Sequence, residues 1–143
     1  MLTTVYFATN RTLTGAAGDW RSYGTGIVTP SDPTAITYAT AFVDNTNLTA
    51  DKTGAIQQIE NVAKGGFSQA AIGDLSDPGR NLLVFVPGFA NSFENAITRA
   101  AFNREWLAQS GVAAADTADA NFGHVIPLPG HLLAGQYRAL LVR

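Results

Sequence analysis

Six serines, two histidines and no cysteine bound the covalent chemistry open to this chain. The serines are Ser22, Ser31, Ser68, Ser76, Ser92 and Ser110, and the histidines are His124 and His131. Acyl transfer by a serine needs a base within hydrogen-bond reach and a third group behind the base. Nothing in the spacing assembles that set. Ser92 stands where a helix begins, a position at which serine serves as a cap far more often than as a nucleophile. His124 and His131 lie in a stretch without pattern, and with only Asp116 and Asp119 near them they make a poor metal site. Glu94 and Asp44 are the carboxylates that invite an acid–base role. Glu94 is better read as a capping residue and Asp44 as a turn former beside Asn45. Without cysteine there is no disulfide, thiol nucleophile or thiolate metal site.

The place best suited to chemistry is the turn Pro87-Gly88-Phe89-Ala90. Before it runs Leu82-Leu83-Val84-Phe85-Val86, too short for a helix and rich in β-branched and aromatic residues. Such a run predicts a strand buried on both faces, as in a parallel sheet. Proline then removes a ladder donor, and glycine permits a sharp turn. Asn91 follows as the predicted N-cap, with Glu94 three residues on completing a capping box. Phe93, Ala96, Ile97, Ala100, Ala101, Leu107 and Ala108 then share one helical face, and Gly111 suits the stop. In an α/β sheet the carboxyl end of such a strand is where ligands bind.

Other elements must position that turn. Strands are predicted near 3–9, 23–28 and 35–43, the second weakened by Gly24 and Gly26. Ile56, Ile59 and Val62 share a side in a predicted short helix over 53–63, and Phe67 to Ile72 forms a further helical turn. Pro30 to Pro33 and Asp77-Pro78-Gly79 are turn chemistry. After Gly111 the pattern fades, Pro127 and Pro129 argue against a central strand, and His131 to Arg143 is read as a short helix.

Composition narrows the class further. At 143 residues the chain is one domain's worth, and 14% charged residues with a net charge of −2 give no electrostatic case for nucleic acid or an anionic membrane. No apolar run approaches the roughly 20 residues of a spanning helix, and the first residues lack a signal-peptide pattern. A soluble, cytoplasmic protein without cofactor or metal is the expectation. Trp20 and Trp106 read as packing residues, since no basic groove accompanies them. Arg104 reads as a snorkelling side chain rather than an anion contact. Asn10-Arg11 is a functional candidate by its place at a strand end.

Val5-Tyr6-Phe7-Ala8-Thr9-Asn10-Arg11, taken with the segment Leu83 to Ala96, resembles a branch of the α/β-hydrolase superfamily. This is a bacterial group of α/β hydrolases of unknown function, with a T-(D/N)-R strand end and a later L-V-F-V-H-G-(F/Y)-N-N-S-F motif. The likeness covers roughly residues 3 to 110. It implies that the turn supplies part of an oxyanion hole, with Gly88, Phe89 and Ala90 as the backbone donors and Asn91, Ser92 and Glu94 supporting them. Pro87 stands where the family has histidine, so any contact of that side chain is lost. The superfamily's G-x-S-x-G nucleophile turn is not found in the sequence.

These readings together predict an α/β fold. Residues 1–111 would be the N-terminal part of an α/β-hydrolase-like domain, and 112–143 a poorly patterned, irregular tail, truncated or read out of frame. The implied function is ester or related acyl hydrolysis by lineage, with an ester-like small molecule as substrate and no activity in this chain alone. A parallel sheet cut after its first strands would also self-associate through an exposed edge. The alternative is a non-catalytic binding or structural protein derived from that fold.

Overall fold

The computed structural model describes residues 2–28, 33–46, 54–77, 82–87, 91–109 and 138–142. The described elements are β1 (Leu2–Thr9), β2 (Arg11–Leu13), β3 (Tyr23–Ile27), β4 (Thr37–Asp44), β5 (Ala55–Lys64), α1 (Gln69–Leu75), β6 (Leu82–Phe85), α2 (Phe93–Gln109) and β7 (Arg138–Val142). Short 3-10 turns at Trp20–Ser22 and Pro33–Ala35 precede β3 and β4. The fold mixes strands and helices. One sheet has the order β5-β4-β1-β7-β6, and a second is the β2–β3 hairpin.

Every described pairing is antiparallel. This corrects the parallel sheet predicted from the apolar run at 82–86. That run does not bury both faces either, because Val84 is 46% exposed. Apolar content reports burial and says nothing about strand direction. Because β7 is antiparallel to both of its neighbours, β1 and β6 nevertheless run the same way on either side of it.

The core follows from alternation along β1. Val5 and Phe7 are fully buried on one face, with Ala39, Ala41 and Val43 of β4 beside them. Over that face lies α2, burying Phe93, Ala96, Ile97, Ala100 and Ala101 at the spacing of one helical stripe. The small alanines on both surfaces let helix and sheet approach closely. Tyr6 points to the opposite face, where Ala71 of α1 meets it with Phe67 and Leu75 alongside. Tyr6 also donates its phenol proton to Asp74 of α1 at 2.5 Å. Ser68 caps α1 through its side chain, so the helical turn predicted from Phe67 is displaced a few residues along the chain.

The segment predicted as a helix at 53–63 is the ten-residue strand β5. Ile56 and Ile59, three residues apart, would fall on opposite faces of a regular strand, and on one side of a helix. A bulge resolves this. Val43 pairs Ile56 while Phe42 pairs Gln58, so one extra residue in β5 restores both isoleucines to the core face. A second irregularity opposite Tyr38 and Thr40 accompanies Asn61, which has a φ of 53°, a conformation asparagine tolerates better than most residues.

The predicted helix at 131–143 is likewise corrected: residues 138–142 form β7, between β1 and β6 in the sheet. The tail is therefore not irregular throughout. Pro127, Pro129, His124 and His131 lie outside the described residues, as do the turns at 30–32 and 78–79.

At the start of β1, polar groups tie the far half of α2. Thr3 Oγ1 donates to Glu105 Oε1 at 2.8 Å, and Asn45 Nδ2 donates to the Thr3 hydroxyl. Arg104 Nη1 donates to the same Glu105 oxygen at 2.8 Å, so the sequence reading of Arg104 as a snorkelling cation gives way to an ion pair. Phe7 touches both α2 and the hairpin, so Phe7→Ala should lower the free energy of unfolding by about 3–5 kcal/mol, read from urea denaturation followed by far-UV circular dichroism.

Candidate functional site

The end of β1 that points away from Thr3 is where the chemistry-bearing candidates gather. Thr9 and Asn10 are buried there, and the backbone N–H of Arg11 donates to Thr9 Oγ1 at 3.2 Å. The Asn10 carbonyl accepts from Val28 N–H at 2.8 Å, which closes the base of the hairpin. Among the described residues the Asn10 side-chain oxygen has no hydrogen-bond partner.

Arg11 holds this end together. Its Nη1 donates to the carbonyl of Gly24 at 2.7 Å, and its Nη2 donates to the carbonyl of Asn91, also at 2.7 Å. Asn91 leads directly into α2. One buried guanidinium therefore joins β3 to the chain segment that leaves the predicted oxyanion turn. Arginine suits this task because its fork of donors is planar, rigid and always charged, and bonds from a charged donor are stronger than neutral ones.

Three aromatic rings sit beside that clamp. Tyr23 stacks on Phe93 with centroids 4.2 Å apart and planes at 7°, and Phe7 meets each of them edge-on at 5.6 and 5.2 Å. Phe7 ends the apolar run of β1, Tyr23 opens β3, and Phe93 opens α2. The cluster thus fixes where the helix starts relative to the sheet. The Tyr23 hydroxyl donates to the Ala17 carbonyl at 2.8 Å, and burial pushes its pKa up to about 12.

The predicted site residues divide between described and undescribed positions. Gly88, Phe89 and Ala90 lie outside the described residues. Pro87 before them is buried, and Asn91 and Ser92 after them are exposed. The cap is Ser92, whose Oγ accepts from Asn95 N–H at 3.1 Å, with its carbonyl accepting from Ala96. The predicted cap Asn91 and capping box with Glu94 are thus off by one residue. Glu94 falls one position short of where the box requires it, and lies in the first turn of α2, where its charge favours the positive end of the helix.

The other candidates take structural roles. Ser68 and Ser76 cap the two ends of α1, and Asp44 accepts from the backbone and hydroxyl of Thr46 in a tight turn. Those bonds hold the Asp44 carboxyl below its ordinary pKa. Trp20 packs partly against the core, with the Arg21 guanidinium 4.5 Å from its ring centre. Ser31, Ser110, His124 and His131 lie outside the described residues, as does the Trp106 side chain. Among the described residues no cluster of histidine, aspartate and glutamate could hold a metal, and no helix is long and apolar enough to cross a membrane.

Sequence reasoning singled out Arg11 for its position but not for its partners. Its reach to Asn91 is a contact between residues far apart in the chain, and no local pattern announces it. Tyr23 was legible only as the start of a strand. No family model, curated protein or solved structure matches the chain.

Two measurements test this arrangement. Arg11→Met removes two charge-assisted bonds and leaves two carbonyls to water, so the unfolding free energy should fall by about 3 kcal/mol in urea titration. Tyr23 has a raised folded-state pKa, so the stability it contributes is complete below its unfolded value near pH 10 and is lost as pH rises towards about 12. Denaturation midpoints at about pH 9 and about pH 11 should therefore fall more for the native chain than for Tyr23→Phe.

Proposed function

We propose that the chain is the N-terminal part of a serine-type α/β hydrolase acting on an ester or related acyl bond. In this reading it carries the oxyanion-binding turn and takes its nucleophile from sequence that it does not contain. The observation that carries the proposal is the hydrogen bond from Arg11 to the Asn91 carbonyl. The two motifs behind the resemblance lie 80 residues apart at those positions, and this bond brings them together.

The chemistry gives that contact a purpose. An oxyanion hole lowers a barrier only if its N–H groups already point at the developing charge before reaction. Gly88, Phe89 and Ala90 are the proposed donors. The segment that follows them is tied by a guanidinium at Asn91 and capped at Ser92. The first turn of α2 adds a favourable dipole for negative charge. A small ester-like molecule would place its carbonyl oxygen at this turn while a downstream serine attacked the carbon. In this reading Ser92 serves as a helix cap, its hydroxyl oxygen accepting from Asn95 N–H, and the nucleophile is a different serine.

A second reading has its own support. β7 lies between β1 and β6 and pairs with both, so the five strands form one continuous sheet. Three of the described serines serve as helix caps. Both observations favour a non-catalytic binding or structural protein derived from the hydrolase fold. Self-association through a sheet edge belongs to either reading.

One experiment separates the two. The purified chain should not hydrolyse a p-nitrophenyl ester above background, and a serine-directed fluorophosphonate should leave it unlabelled. The coding DNA downstream of codon 143 should continue into apolar strands and a G-x-S-x-G turn. Downstream sequence without them would sink the hydrolase reading in favour of the non-catalytic one, and a mapped fluorophosphonate label would overturn both.

A further inference from the structure

The two edges of the main sheet are built differently. β5 forms one edge and β6 the other. A free edge offers a row of unpaired backbone donors and acceptors, and proteins guard such rows with bulges, charges or covering segments. β5 carries those guards. Its register with β4 shifts twice, Asn61 turns the backbone to a φ of 53°, and Glu60 and Lys64 lie exposed along it.

Among the described residues β6 carries none of them. Leu82, Leu83, Val84 and Phe85 pair with β7 in an unbroken register, and none of the four is charged. From Asn81 to Phe93 the sequence contains no lysine, arginine, aspartate or glutamate. Val84 is 46% exposed, and among the described residues nothing pairs with the outer side of the strand. Bare of such guards among the described residues, and uncharged, this edge has the character of a strand that takes a partner strand.

We propose that β6 is the edge through which two copies of this chain pair, antiparallel β6 against β6 about a two-fold axis. The chemistry favours a second copy because the strand is its own complement. A two-fold pairing sets Leu-Leu-Val-Phe against itself, so an apolar sequence meets its own copy and no like charges meet. The five-stranded sheet then continues into a ten-stranded one. Pro87, which has no N–H, ends the ladder and fixes its length to the strand itself. This inference rests on the self-association named above and not on acyl chemistry, so it stands or falls separately from the hydrolase reading.

The test is the mass in solution, by size-exclusion chromatography with light scattering over a range of concentrations. The native chain should be a dimer that dissociates on dilution. Val84→Lys and Val84→Glu each place like charges close together across the axis, and each should weaken the dimer at least about tenfold. Mixing the two variants sets lysine near glutamate and should restore a dimer, a result that an unfolded variant could not give. Val62→Lys alters the guarded edge, where Val62 is 39% exposed, and should leave the dimer intact. A native chain that stays monomeric at the highest concentration overturns the proposal. So does a Val84→Lys chain that dimerises like the native one, a mixture that remains monomeric, or a Val62→Lys chain that dissociates as Val84→Lys does.

Discussion

Phe7 lies where three separate parts of the chain meet, and the packing around its ring governs the rest of the structure. β1 is the middle strand of the main sheet, so its core face must be covered along its whole length. α2 supplies the cover, and the rings of Phe7, Tyr23 and Phe93 determine where that cover begins. Aromatic rings suit this role because their offset and edge-on contacts have preferred geometries. The ring cluster places the hairpin, the central strand and the helix start in one frame. The Arg11 guanidinium completes that frame with polar contacts to Gly24 and Asn91.

Much of this architecture was legible in the sequence wherever a single local rule applied. Strand candidates at 3–9 and 35–43 matched β1 and β4, a short apolar run marked β6, and helical spacing marked α2. Reading failed where two rules competed. Ile56, Ile59 and Val62 have helical spacing, but a bulge opposite Val43 and Phe42 lets a strand meet the same spacing. Arg138 to Val142 looked helical because a run of two leucines beside alanine fits either state. Its partner β1 decides the matter, and that partner is at the other end of the chain. Strand direction was wrongly inferred for a related reason, since it is set by connections and neighbours rather than by side-chain type.

The candidate site shows the same division. A strand end before Pro87 and a helix start near Glu94 can be read, as can a serine suited to capping. Choosing Asn91 over Ser92 as the cap was an error of one residue, because both types accept the same bond. What could not be read is the role of Arg11. Its value lies in two carbonyls supplied by β3 and by the approach to α2, and neither is near it in sequence. Long-range polar contacts of this kind turn a collection of correctly assigned elements into a site with geometry.

Helix α2 is anchored by polar groups near both ends, with Arg11 on the carbonyl of Asn91 and Thr3 on the carboxylate of Glu105. One anchor lies near the start of β1, and the other stands just past its end, at the first residue of β2. Each residue of an α-helix advances about 1.5 Å and turns about 100°. Adding or removing one residue between the anchors would therefore swing Glu105 away from Thr3 and turn the alanine stripe off the sheet. The strand acts as a ruler for the helix. Substitutions on the outer face of α2 leave this fit intact, whereas a change in its length does not.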